Sequence, residues 1–346
     1  MTAAPDGKKL RVGLVGCGEV GIIHARAYAA DPAVELVGLC DTNAALLAPR
    51  CRELDVAGYR SVEELLDKGR PDLVGIVVKA HYNRSDFVAP IRACLYAGVH
   101  VLSEKPVSFR TEDVVGLRDL ARDKKVSLGI NFCQRFTPAS QWFRQLREQG
   151  AFGEMLWTAA SYNQGWGVGA ELVLKEHMIH VFDLWRYHVG EVVSVSAQVT
   201  AVRIGEDLHR GISAAAVTFG NGAAGVCING APLIRSCQRY QITGTGGEAV
   251  CEDFVCRAEF RPAEGPIQAL PRDWFANGYW DSTSVHLGLA VESLLAGRPM
   301  PVTVDDLVEA LYVAEGIVLA AEEGRCVEIK QIRDRFEATG SVSKGG

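Results

Sequence analysis

Short apolar runs separated by segments of mixed polarity set the rhythm of the first third of the chain. The runs at 10–15, 34–40, 73–78, 99–103 and 126–132 have the length and bounding residues of strands. Between them, 20–30, 44–53, 86–97 and 111–124 repeat their apolar positions at helical spacing, with Thr111 reading as the cap of the last. Ser61, with Glu64 three residues on, reads as the N-cap of a further helix over 61–68. Strands and helices alternating in this way predict a parallel sheet joined by crossover helices.

After a helical stretch at 137–149 the texture changes. Longer strand-like runs follow at 155–162, 192–203, 212–219, 222–229 and 239–244, with glycine turns such as Asn221-Gly222, which predicts a largely antiparallel sheet. Helical spacing returns at 173–189, 284–296 and 304–323. The boundary falls near Asn131, giving a first domain at 1–130, a second at 131–335 and a tail at 336–346. The helix at 304–323 is expected to pack back on the first domain.

A chain of 346 residues exceeds what one hydrophobic core usually fills, in keeping with two domains. The net charge of −6, with no basic cluster, argues against nucleic acid or an anionic membrane as partner. No apolar run is long enough to span a bilayer, and the first residues lack the pattern of a secretion signal. Ten cysteines scattered without metal-ligand spacing predict reduced thiols and the cytoplasm. A small-molecule ligand remains.

The sharpest chemical signal is Gly16-Cys17-Gly18-Glu19-Val20-Gly21, which follows a strand and opens a helix. One glycine permits the tight turn, one the approach of backbone N–H groups to a pyrophosphate, and one the close packing of helix on strand. The helix N-terminus adds a positive field for the phosphates. Twenty residues after Gly21, Asp41 ends the second strand, where its carboxylate suits both adenosine ribose hydroxyls and repels a 2′-phosphate. NAD is therefore expected over NADP, in an N-terminal Rossmann domain, with a C-terminal α+β domain built on a large, mostly antiparallel open sheet.

Glu104-Lys105-Pro106 follows the strand at 99–103 and so sits at the carboxyl edge of the sheet, where open α/β folds bind ligands. A lysine there can donate to a substrate hydroxyl and to the nicotinamide ribose. The helical segment around Glu176-His177-Met178-Ile179-His180-Val181-Phe182-Asp183 places Glu176, His180 and Asp183 along one face, with His177 beside His180. His180 is the natural general acid/base, because imidazole titrates near neutral pH. Glu176 orients substrate or tunes that imidazole. A zinc site is the rival reading, but Glu176 and His177 are adjacent and converge poorly with His180 on one tetrahedral ion, so no metal is expected.

Together the fingerprint, the Glu104-Lys105-Pro106 triplet, the acid-x-x-x-His helix and the closing 301–329 segment resemble the glucose-fructose oxidoreductase / inositol dehydrogenase / MocA family over nearly the whole chain. The resemblance implies that Lys105 and His180 lie beside the nicotinamide ring, that Glu176 contacts a sugar, and that Arg135 matches a family position. It also implies that Gly16, Cys17, Gly18, Glu19, Val20, Gly21, Asp41, Glu104, Lys105 and Pro106 line the cofactor. Homodimers or homotetramers through the C-terminal sheet follow from it as well. The implied activity is hydride transfer between nicotinamide and a ring hydroxyl or ketone of a sugar, nucleotide-sugar or cyclitol. An NAD-dependent glycoside hydrolase using transient oxidation and a non-catalytic dinucleotide-binding regulator are the alternatives.

The chain departs from the family in having Glu176 where Asp is frequent and Lys79-Ala80-His81-Tyr82-Asn83 where Thr-Pro-x-x-x-His is frequent, so Lys79, His81 and Asn83 receive no individual roles. Tyr162, Trp166 and Trp185 offer stacking faces or core packing. His209, His286 and Asn163 stay unplaced.

Overall fold

A computed structural model describes residues 7, 9–78, 87–163, 170–204, 207–230, 237–252, 257–270 and 278–340. Lys79, His81, Asn83 and Trp166, and the expected tail beyond residue 340, lie outside the described residues. The chain divides into two units, one made of Met1–Phe132 with Thr283–Val308, the other of Cys133–Ser282 with Glu309–Ser341. Residues 283–308 group with the N-terminal unit.

The first unit opens as β1 (Leu10–Val15), α1 (Glu19–Ala30), β2 (Val34–Cys40), α2 (Ala44–Leu54), β3 (Gly58–Tyr59) and the short α3 (Val62–Glu64). It continues as β4 (Leu73–Ile76), α4 (Val88–Tyr96), β5 (His100–Ser103), α5 (Thr111–Lys124) and β6 (Leu128–Ile130). The six strands pair in parallel in the order β3-β2-β1-β4-β5-β6. Because the connections reverse direction between β1 and β4, a crevice opens outside the carboxyl ends of these strands. Val12, Leu14, Tyr28 and Leu73 are essentially inaccessible in the core below it. Leu287, Ala290 and Val291, from far along the chain, complete that core.

Two local expectations meet the structure differently. The Ser61 hydroxyl accepts from the Glu64 N–H at 3.1 Å, as a cap should, although the helix it opens turns into a π turn at Leu65–Gly69. Thr111 is not a cap: it is the first helical residue and is buried, and Arg110 holds the cap position with no side-chain bond. The Ser108 hydroxyl takes over locally, accepting from the Arg110 N–H at 3.1 Å and donating to the Asp113 carboxylate at 2.8 Å.

The second unit contains α6 (Pro138–Glu148), β7 (Met155–Asn163), α7 (Ala170–Val173), a π turn (Leu174–Met178), α8 (Ile179–His188), β8 (Val192–Ile204), β9 (Asp207–Phe219), β10 (Ala224–Gly230) and β11 (Cys237–Gly244). It goes on through β12 (Gly247–Glu252), β13 (Arg257–Pro262) and β14 (Gln268–Ala269). The division between units falls inside the next two helices, α9 (Gly278–Leu295) and α10 (Val304–Glu323). β15 (Val327–Glu328) and α11 (Ile329–Gly340) close the chain, so residues 336–340, expected in a tail, are helical.

Its nine strands run β14-β13-β12-β11-β7-β10-β9-β8-β15 and pair antiparallel except for β7 with β10. Thr158, Ala160 and Tyr162 of β7 alternate inward, and Ala215, Val217 and Phe219 of β9 do the same. The opposite face carries exposed Trp157, Val226 and Ile228. His209 falls in β9 and Asn163 in β7. Among the described residues no helix is long and apolar enough to cross a membrane, and no three metal-ligating side chains converge.

Candidate active site

The turn between β1 and α1 shows why each glycine of the fingerprint is a glycine. Gly16 has φ of +102°, and a Cβ there would come within 2.1 Å of the Val77 carbonyl oxygen. At Gly21 a Cβ would meet the Gly16 carbonyl oxygen at 2.0 Å, so helix and turn touch through backbone alone. Gly18 differs: it is the N-cap of α1, and nothing lies within 4 Å of where its Cβ would be. Two glycines therefore serve packing, and the third leaves open space at a helix N-terminus, which fits a pyrophosphate. Glu19 is exposed and Val20 half-buried at the start of that helix.

Asp41 is drawn into the same turn. Its Oδ2 accepts from the Cys17 N–H at 2.8 Å and its Oδ1 from the Asn43 N–H at 2.7 Å, while the Gly16 N–H donates to the Cys40 carbonyl at 2.8 Å. The carboxylate thus clamps the fingerprint loop to the end of β2. Burial, followed by the Asp41 charge, pushes the Cys17 thiol up to about 12, so Cys17 is a neutral filler.

Glu104 lies where β5 ends, its N–H bonded to the Ile76 carbonyl of β4 at 2.9 Å, which sets the Glu104-Lys105-Pro106 turn at the carboxyl edge of the sheet. Lys105 is half-buried and Pro106 buried. The Glu104 carboxylate receives the His24 Nε2 at 3.0 Å, the Asn131 Nδ2 at 2.6 Å and the Lys105 N–H at 3.3 Å. Burial would raise its pKa, but the His24 hydrogen bond and charge, then Asn131 and Lys105, outweigh it, and the carboxyl lies below its usual range. Asn131 Oδ1 in turn meets His286 Nδ1 at 2.8 Å. Sequence reasoning missed His24 and Asn131 and left His286 unplaced; the available signal was a histidine three residues beyond Gly21 on the buried face of α1.

In the second unit, Glu176 and His177 lie on the π turn and His180 in the first turn of α8. A π turn inside a helix wedges in an extra residue and is frequent at functional sites. His180 is 1% exposed. Glu176 Oε2 lies 3.7 Å from His177 Nε2, too far for a hydrogen bond, and the His177 ring stacks on Tyr162 with centroids 5.5 Å apart. Burial, then Cys133 and Glu176, push the Tyr162 phenol up. Lys175 beside them is buried and ion-paired at 2.8 Å to both Glu171 and Glu315.

Asp183, on the same helix face as Glu176 and His180, is 1% exposed and bound bidentately by Arg135, with Nε to Oδ2 at 2.8 Å and Nη2 to Oδ1. Arg135 is accordingly a buried structural partner in this unit, also lying over the Tyr187 ring at 5.1 Å. Of the two readings of Trp185, stacking face or core, the core holds: it is fully buried, edge-on to Phe219, with its indole N–H donated to the Thr158 hydroxyl at 3.1 Å. Lys105 belongs to the first unit, Glu176 and His180 to the second.

A glycine cradle at the switch point of a six-stranded parallel sheet defines a dinucleotide-binding Rossmann protein. Residues 10–132 match the oxidoreductase family with NAD-binding Rossmann fold, and 140–250 match the GFO/IDH/MocA C-terminal domain. The chain belongs to this Gfo/Idh/MocA family of oxidoreductases. It is 24% identical over 336 residues, 93% of this chain and 99% of the other, to myo-inositol 2-dehydrogenase of Thermotoga maritima. It is also 24% identical to D-apiose dehydrogenase of Paraburkholderia graminis, over 98% of this chain and 94% of that one. With UDP-N-acetylglucosamine 3-dehydrogenase of Acidithiobacillus ferrooxidans it shares 35% identity over 136 residues, 39% of this chain but only 41% of the relative. The solved structure of that enzyme superposes with a TM-score of 0.76 at 26% identity, covering 91% of this chain and 98% of that one.

Proposed function

We propose that this protein transfers a hydride reversibly between NAD and a ring hydroxyl or ketone of a sugar, nucleotide-sugar or cyclitol. The observation that carries the reading is the open Gly18 position at the N-terminus of α1, on the same sheet edge as the Glu104-Lys105 turn. The dehydrogenase relatives supply the substrate class. When bound, the nicotinamide accepts or returns the hydride at its C4. His180 removes the hydroxyl proton during oxidation and returns it during reduction. Lys105 donates to the same oxygen and stabilises its developing negative charge, and Glu176 accepts from neighbouring ring hydroxyls.

Asp41 supports NAD over NADP, since its carboxylate repels a 2′-phosphate. Replacing it by alanine is expected to weaken NADH binding and narrow the preference, the more so because the Arg60 guanidinium, bonded to the Thr42 carbonyl, remains nearby. Cys17, Cys40, Cys94 and Cys227 are buried thiols outside any disulfide, in keeping with a reducing cytoplasm. Exposed Trp157, Val226 and Ile228 on one face of the second sheet support a homo-oligomer formed there.

The test is fluorescence titration with NADH and NADPH, followed by a panel of sugars, sugar nucleotides and inositols monitored at the reduced nicotinamide band. Tight NADH binding with turnover is expected. Copurifying cofactor without net turnover would favour the hydrolase reading, and full function after loss of His180 the regulator.

A further inference from the structure

The polar groups buried around Glu104 form a chain with a direction. An ionised carboxylate has no proton to give, so the Asn131 group 2.6 Å from Oε1 must be its NH2, which turns the amide oxygen toward His286. That oxygen only accepts, so His286 carries its proton on Nδ1. On the other side His24 presents Nε2 to the same carboxylate oxygen and must carry its proton there. His286 therefore donates to Asn131, and Asn131 and His24 both donate to Glu104. Hydrogen bonds aligned in one direction polarise each other in a medium of low dielectric, and His24, Asn131 and His286 are each at most 1% exposed.

The groups facing this carboxylate come from several elements of one unit. His24 and Tyr28 come from α1, Asn131 follows β6, His286 lies behind it on α9, and Lys105 is the next residue along the chain. Burial, then the Glu104 charge, pushes the Tyr28 phenol up, in keeping with a charged carboxylate beside it. The remaining Glu104 oxygen, Oε2, accepts from the backbone N–H of Lys105 at 3.3 Å. The same side chain thus joins the helix that starts at the fingerprint to the turn that carries the lysine.

We propose that Glu104 is a positioning residue for Lys105, held by the one-way chain from His24 and from His286 through Asn131. This rests on the reading of Lys105 as the group that meets the substrate oxygen. The chain fixes the turn that presents Lys105 and registers it against α1. Anything that rotates the carboxylate away from the Lys105 N–H misplaces the ammonium, and misplacement of about 1 Å costs a reaction about 100-fold.

The first arm of the test needs no substrate: long-range ¹H–¹⁵N correlation spectra of the full chain labelled with ¹⁵N-histidine. The expected result is a proton on Nε2 of His24 and on Nδ1 of His286; a proton only on Nε2 of His286 would overturn the chain. The second arm is Glu104→Gln, for which kcat on the substrate found by the panel is expected to fall about 100-fold, a larger factor than any loss of NADH affinity. A folded, NADH-binding Glu104→Gln protein with kcat within about threefold of the parent overturns the proposal.

Should Glu104→Gln fail to fold, two variants at the far end of the chain decide. His286→Leu removes the donor and is expected to lower kcat about tenfold, whereas His286→Asn, which sets an amide NH2 near the lost Nδ1–H, restores most of it. Equal kcat in the two overturns the role. If Lys105→Met leaves turnover intact, the reading of Lys105 fails while the spectra still judge the chain. If Lys105→Met abolishes turnover and Glu104→Gln does not alter it, only the positioning role fails.

Discussion

The two units hold their polar residues by different means. In the first, the cradle is made by backbone: three glycines, a strand end and a carboxylate bonded to two N–H groups. In the second, Glu176 and His180 ride on a helix distorted by a π turn and held by side-chain partners distant in sequence, such as Lys175 with Glu315 and Asp183 with Arg135. A ligand common to many proteins is met by a short local pattern. A ligand particular to one protein is met by packing, which a local pattern does not encode.

That contrast can be broken by substitution. The largest effect is expected from His180→Ala, which should lower kcat by about 10²- to 10⁴-fold with NADH affinity nearly unchanged; a parallel loss of NADH affinity would mean that the histidine belongs to cofactor binding instead. Next comes Asp183→Asn, which strands a buried guanidinium. Breaking such a pair costs about 3–5 kcal/mol, read as a lowered denaturation midpoint. A mere loss of turnover in an equally stable protein would assign Asp183 to catalysis instead.

Smaller effects are expected in the first unit. Gly21→Ala forces a Cβ against the Gly16 carbonyl and should cost about 1–3 kcal/mol of stability, whereas Gly18→Ala should leave stability alone and weaken NADH binding. If both variants lose only stability, the open position at Gly18 is not where the cofactor lies.

The most gradual effect concerns pH. Burial, then Arg147, Arg135 and Arg144, push the His188 imidazole down to about 3, and Ser140 Oγ lies 2.9 Å from its Nε2. The unfolded chain takes up that proton below about 6.5 and the folded chain does not, so stability is expected to fall as pH drops from about 6.5 toward 3. His188→Gln, which keeps an amide near Ser140, should flatten this slope in denaturation curves measured between those limits.

The same contrast explains what could be read from the chain. β1 and β2 fall where the apolar runs put them, because strands covered on both faces are continuous in hydrophobicity. β13 escaped notice because Arg257, Glu259 and Arg261 alternate with Ala258 and Phe260, and the charges masked a period of two. α11 was overlooked although Ile329, Ile332 and Phe336 recur on one face and are buried. The π turn and the Arg135 partner of Asp183 depend on contacts between distant residues, and the spacing of Glu176, His180 and Asp183 had no way to separate the third from the other two.

The clamp at Asp41 bears on how such proteins change. A lineage that drifted toward a phosphorylated dinucleotide by losing this carboxylate would also release the Cys17 and Asn43 N–H groups, loosening the loop it was retuning. Drift of that kind is expected to be stepwise, with a compensating hydrogen-bond acceptor appearing near Cys17 before or alongside the loss.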